Sequence, residues 1–205
     1  LGGPVVKNGI AVTFVYTVLA TGELRVACSG EPVGRWTGTW PRIGMAWRLP
    51  AVLERVQWYG LGPGESYSDS RDGVRLGYWE GQVDDLMFDY IFPQESGNRS
   101  DTRWLAAADA YGRGLLVASP HLFNFSAHRF EAADLTRAEH TIDLQAREWI
   151  VLNLDHAQTG LGSNSCGPQP WIEHELRPRR FNFEVRLCPV QLERDNPMKL
   201  ARRMC

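Results

Sequence analysis

Only four cysteines occur in 205 residues, at positions 28, 166, 188 and 205. Their spacing contains no CxxC pair and matches no metal-ligand pattern. Four in a domain of this size do not make a disulfide scaffold, so reduced thiols in a cytosolic protein are expected. No apolar run approaches the roughly 20 residues needed to cross a bilayer, which argues against a membrane protein. The opening Leu1-Gly2-Gly3-Pro4 lacks the basic region and apolar core of a signal peptide, so a cytoplasmic location is expected. Charge of one sign is lacking as well: the net charge is −2. The basic group Arg177, Arg179 and Arg180 lies beside Glu173 and Glu175. This balance excludes a nucleic-acid partner held by phosphate neutralisation. The five histidines show no paired spacing and no HExxH, so no metal site is expected. Gly162-Ser163-Asn164-Ser165 lacks the GxSxG spacing of a nucleophile elbow. Gly60-Leu61-Gly62 runs into Pro63-Gly64 and no helix, so a dinucleotide site fails on context.

Helical periodicity is nearly absent too. Glu131 to Ala138 is the one helical piece, alanine-rich and acidic at its start. What fills the chain is short β-branched and aromatic runs between Gly/Pro turns. Ile10 to Leu19, Leu24 to Cys28, Ile43 to Leu49 and Val56 to Tyr59 read as strands. So do Val74 to Glu80, Met87 to Phe92, Thr102 to Ala108 and Leu115 to Ser119. Phe123 and Phe125 begin another, and Ile142 to Ala146 and Trp149 to Leu154 follow. Phe181, Phe183, Val185 and Leu187 alternate with Arg180, Asn182, Glu184 and Arg186, the clearest half-buried strand. Ser29 to Pro41 reads as loop, and the tail from Glu193 to Cys205 as a frayed end. The pattern predicts one all-β domain, a sandwich or barrel.

The candidate chemistry gathers at Asp155 to Pro168. There an apolar strand gives way to a loop of Gly, Ser, Asn, Gln and Cys, able to present hydrogen-bonding groups or to act as a plain turn. Cys166 with His156 or His174 could form a nucleophile–base pair. Asp155 and His156 adjoin on a strand, so their side chains should point to opposite faces. The loop carboxylates Glu65, Asp69, Asp72, Asp84, Asp85, Glu95 and Asp101 are expected to be solvated or structural. Aromatics are abundant, with eight Trp, six Tyr and eight Phe. Trp47, Trp58, Trp104 and Trp149 are expected in the core, and Trp36, Trp40 and Trp171 in loops where they could cover sugar faces.

Four stretches carry a resemblance beyond composition: Val56-Gln57-Trp58-Tyr59-Gly60-Leu61-Gly62-Pro63-Gly64-Glu65-Ser66-Tyr67-Ser68-Asp69; Tyr90 through Trp104, with its Pro93-Gln94-Glu95-Ser96-Gly97-Asn98-Arg99; Phe123-Asn124-Phe125-Ser126; and Asp155 through Pro168. In order and spacing the chain resembles, from about Thr13 to Val190, the C-terminal β domain (the small-chain, domain 5 type) of family 2 glycoside hydrolase β-galactosidases. The resemblance implies an antiparallel β supersandwich similar to galactose mutarotase. It also implies that residues 1–205 are a single domain of a larger protein, lacking its first strands. The whole enzyme would hydrolyse terminal β-galactosides such as lactose with retention. Both catalytic glutamates would lie in a TIM-barrel domain not in this chain, and so would the Mg2+ and monovalent-cation sites. This chain would then be inactive alone and hold no cofactor. Its partners would be that barrel, a galactoside and further copies of the full-length enzyme.

In the best-known bacterial member a tryptophan on the fourth stretch stacks on the aglycone sugar. Here Cys166 stands at the matching position, with Asn164 and Ser165 as neighbouring substrate-binding candidates. Glu65, Glu95, Arg99 and Arg103 are expected to pin loops by charge-assisted hydrogen bonds rather than to touch sugar, because each motif adjoins a core strand and lies among turn residues. Two other functions remain: a free-standing carbohydrate-binding module, and a mutarotase-like aldose epimerase, which would need a His and a carboxylate as acid and base.

Overall fold

The computed structural model describes residues 8–163 and 167–205. Nine antiparallel strands follow in chain order: β1 (Asn8–Val18), β2 (Leu24–Gly34), β3 (Arg42–Pro50), β4 (Arg55–Gly62), β5 (Arg75–Gln82), β6 (Arg99–Ala108), β7 (Arg113–His128), β8 (Trp149–Gln158) and β9 (Phe181–Gln191). Two helices join them, α1 (Ala132–Arg137) and α2 (Pro197–Met204). The all-β expectation is therefore met. Among the described residues no helix is long and apolar enough to cross a membrane.

The strands form two layers that share β7. One layer runs β1-β2-β9-β7-β6-β4-β5, and the other is built of β3, β8 and the second half of β7. The first half of β7 pairs with β9 up to Ala118, and the second half pairs with β8 from Asn124 onward. Between them lies exposed Pro120, which cannot donate to a ladder, so the strand is free to leave one sheet and enter the other. Alternation then sorts the side chains. Val26, Val56, Trp58, Leu105, Val117, Phe123, Phe125, Ile150, Leu152, Leu154, Phe183 and Val185 fill the space between the layers. The other face of β6, β7 and β9 presents Trp104, Ala106, Leu116, Ala118, Cys188 and Val190, which α2 covers with Ala201 and Met204.

Several local expectations are corrected. The tail is not frayed: Asn196 caps α2 by accepting from the Lys199 amide at 3.0 Å, Pro197 sits in its first turn, and Met204 is fully buried. Met87 to Phe92 is loop and Ile142 to Ala146 holds only a 3-10 turn (Thr141–Asp143), since neither finds a partner strand. Ser29 to Gly34 is strand, because β1 pairs along the whole of β2. Trp40 is buried, edge-on to Trp36 and Phe181, while Trp171 is 73% exposed. Trp58 and Trp104 are core as expected, and Trp47 packs against the core from its edge. Cys28, Cys188 and Cys205 are free thiols.

Candidate functional site

The loop after β8 is held by backbone and by one carboxylate. The Thr159 amide donates to the Pro41 carbonyl at 3.0 Å and the Gly160 amide to the His174 carbonyl at 2.8 Å. Asp69 accepts from the Leu161 amide at 3.2 Å and the Gly162 amide at 2.7 Å. A Cβ on Gly160 would sit 2.7 Å from the Asp69 carboxyl carbon, so the close approach needs glycine there. Gly162 has φ +60° and its Cβ would meet Pro170 at 2.6 Å. The far end closes where the Ser163 amide donates to the Pro168 carbonyl at 3.0 Å. Asn164, Ser165 and Cys166 lie outside the described residues. A cavity of about 670 Å3, lined by Trp36, Thr37, Thr39, Gln169, Glu175 and Arg177, adjoins the returning arm of the loop.

Asp69 belongs to the segment after β4, so two of the distant sequence motifs meet here. Replacing Asp69 by alanine leaves two loop amides without their charged acceptor. It is expected to destabilise the chain by about 1–2 kcal/mol, since part of the loss is made good by water. Hydrogen exchange should rise at Leu161 and Gly162 while the β8 amides stay protected; unchanged exchange there would show that Asp69 does not hold the loop.

The same segment locks to the one before β6. Glu65 accepts from the Gly97 amide at 2.8 Å and from the hydroxyls of Tyr67 (3.4 Å) and Tyr90. Burial, then the neighbouring Glu65 carboxylate, pushes the Tyr67 phenol up; the same two causes push Tyr90 up to about 12. Ser66, Asn98 and Ser100 interlock, with Asn98 donating to the Ser66 carbonyl at 2.6 Å. The Arg99 guanidinium donates to the carbonyls of Leu86, Gly97 (2.6 Å) and Pro63 (3.2 Å), and lies 5.6 Å from the Trp58 ring. Burial lowers its pKa to about 10, so it stays charged at neutral pH. Arg103 donates to the Asp101 carbonyl at 2.7 Å, and Asp101 itself pairs with Arg71. Glu65 and Arg99 thus tie loops, as expected, whereas the Arg103 bond stays within β6.

A polar cluster not foreseen from the sequence lies on the outer face of the β3–β8–β7 layer. Asp155 is 1% exposed and accepts Arg42 through Nε at 3.3 Å and through Nη2. Arg42 Nη1 reaches Glu95 at 3.0 Å. Beside them are His128 (5% exposed) and Asn153 (9%), whose amide donates to Ser126 Oγ at 3.0 Å. Burial raises Asp155 to about 6 despite Arg42, while on Arg42 the two carboxylates outweigh burial and raise its pKa. Burial first, then Arg42, lowers His128 to about 4. The signal was there: Ser126 and His128, and Asn153 and Asp155, occupy alternate positions of β7 and β8, opposite the apolar set. His156 turns to the other face and lies 5.7 Å from the Phe183 ring, so Asp155 and His156 do not meet, as alternation predicts. His174 serves the loop through its carbonyl. Among the described residues no three His, Cys, Asp or Glu side chains are grouped to hold a metal ion.

A family model described as the β-galactosidase small chain matches residues 3–187. The chain belongs to the β-galactosidase small-chain family. Its relatives named β-galactosidase include one from Arthrobacter sp. (strain B7), 33% identical over 174 residues, which are 82% of this chain and 17% of the relative. One from Kluyveromyces lactis is 35% identical over 175 residues, 84% of this chain and 17% of that protein. One from Halalkalibacterium halodurans is 32% identical over 168 residues, 80% and 17%. The chain therefore spans about a sixth of the length of these relatives.

Proposed function

We propose that residues 1–205 are a single, non-catalytic C-terminal domain of a β-galactosidase that hydrolyses terminal β-D-galactosides such as lactose. The domain completes the wall of an active site whose main part is a TIM-barrel domain elsewhere in the protein. The observation that carries this reading is the family match over nearly the whole chain, joined to the small share of each relative that it occupies. Two features support it. Retaining hydrolysis needs two carboxyl groups about 5–5.5 Å apart and free to react; here Glu65, Asp69, Glu95, Asp101 and Asp155 are each engaged in ties between segments. The edge strand β1 also exposes Val12, Phe14, Tyr16 and Val18, an apolar surface suited to be covered by more of the same protein.

On this reading the two layers are part of a supersandwich similar to galactose mutarotase. The Mg2+ and monovalent cation belong to the barrel, and the full-length enzyme is a cytoplasmic homo-oligomer. The loop that follows β8, from Thr159 to Pro168 and latched by Asp69, presents Cys166, Asn164 and Ser165 to the bound sugar. Changing Cys166→Trp in the full-length enzyme supplies an aromatic platform worth about 0.5–1.5 kcal/mol. The apparent affinity for lactose or glucose should then tighten roughly two- to tenfold, with kcat changed less. Affinity for both sugars unchanged by Cys166→Trp would reduce the loop to a turn. A free-standing sugar-binding module and an aldose epimerase are the competing functions; measurable mutarotation by the 205-residue chain would favour the second.

A further inference from the structure

The polar cluster on the outer face of β3, β8 and β7 is the floor of a cleft. Its volume is about 430 Å3, within the range of small-molecule sites. One side is apolar: Ala133 and Leu135 of α1, with Ala46 and Val151 of the sheet. The floor and rim are polar: Arg42, Glu95, His128 and Asn153. Placing so many polar side chains on one buried sheet face costs stability wherever their hydrogen bonds are incomplete. Glu95 Oε1 is enclosed without a hydrogen-bond partner. His128 Nδ1 accepts from the Phe130 amide at 3.3 Å, which places the proton of the neutral ring on Nε2 as a donor.

The charges lining the cleft are already matched. Arg42 pairs with Asp155 and Glu95, and Arg48 with Glu131 at 2.7 Å. A charged ligand would meet no free counter-charge. What the cleft offers is an apolar wall, the Glu95 side chain as a partly exposed acceptor, and neutral donors. A pyranose matches that set, with C–H groups on its faces and hydroxyls around its rim.

We infer that this cleft is a binding site for a neutral hexopyranose, separate from the loop after β8, with Glu95, Arg42, His128 and Asn153 holding the hydroxyls and α1 covering a sugar face. The choice of a sugar rests on the β-galactosidase reading. The test is a titration of the 15N-labelled 205-residue chain with D-galactose, D-glucose and, as an acyclic control, glycerol, followed by NMR.

At least one hexose should bind saturably in the millimolar range, shifting resonances of Asn153, His128 and Ala133 and leaving Gly160 to Ser163 unmoved. Ala46 is exposed, so Ala46→Trp fills the cleft without touching the core; it should weaken binding at least tenfold. Glu95→Gln keeps the shape and should weaken it several-fold. Any of four results overturns the inference: no saturable hexose binding, glycerol binding equally well, shifts confined to the loop, or binding unaltered by both variants. A failed Cys166→Trp experiment would sink the loop's proposed role and leave this binding in place, so the two readings fail separately.

Discussion

Arg42→Ala should lower the unfolding free energy by about 3–5 kcal/mol, the cost of removing one partner from a buried pair. Asp155 is the reason. Its carboxylate is 1% exposed in the middle of β8, and Arg42 supplies two of its hydrogen bonds while bridging to Glu95. Without the guanidinium, Asp155 must either stay ionised in a desolvated place or take up a proton. Both are unfavourable at neutral pH relative to the unfolded chain. Removing both partners should cost less than the sum of the single changes, because the buried Asp155 charge is then gone and only Glu95, whose side chain is 29% exposed, is left without Arg42. A pair Arg42→Met with Asp155→Leu should therefore recover much of the loss. Urea unfolding at pH 7 measures all three. A loss under about 1 kcal/mol for Arg42→Ala would mean that the pair behaves as an exposed one.

The pH dependence of the same cluster should be hidden in the parent chain and revealed by single changes. His128 has a folded pKa of about 4 against an ordinary 6.5. Between those values the unfolded chain binds more protons, so its contribution is present above 6.5 and is lost as pH falls through 4. Asp155 has a folded pKa of about 6 against an ordinary 3.8. There the folded chain binds more protons, so its contribution is present below about 4 and is lost as pH rises through 6. Each displacement corresponds to about 3 kcal/mol, and the two oppose each other across nearly the same window.

His128→Asn keeps an acceptor for the Phe130 amide and removes the titration. Its stability relative to the parent should rise by about 2 kcal/mol as pH falls from 6.5 to 4.5, because the variant lacks the imidazole whose contribution the parent loses on acidification. Asp155→Asn should show the opposite trend. Chemical denaturation at pH 4.5, 5.5 and 6.5 decides it; parallel curves for parent and variants would show that neither group titrates differently on folding.

The strand alternation, the turns and the resemblance all point to one all-β domain of the β-galactosidase small-chain family. Where local pattern misled, a missing or an unforeseen partner was the cause. Met87 to Phe92 has strand composition and no strand to pair with, while the charged tail from Glu193 becomes ordered because α2 finds an apolar sheet face to cover. The carboxylates of the loops looked interchangeable in sequence. Space separates them: Asp69 latches the candidate loop, Glu65 ties three groups, and Glu95 shares Arg42 with Asp155.

The sequence by itself determined the fold class, the family and the loop between β8 and β9, since each depends on local periodicity or on the order of short motifs. Only the tertiary structure decided which charges are buried together. Arg42, Glu95, His128 and Asp155 come from four separate segments, and burial and pairing depend on distances that no local pattern contains. The loop from Thr159 to Pro168 gained a physical anchor in this way, while Asp155 to Gln158 belong to β8. Asp69, 92 and 93 residues earlier in the chain, reaches Leu161 and Gly162 because β4 and β8 are brought to the same end of the sandwich.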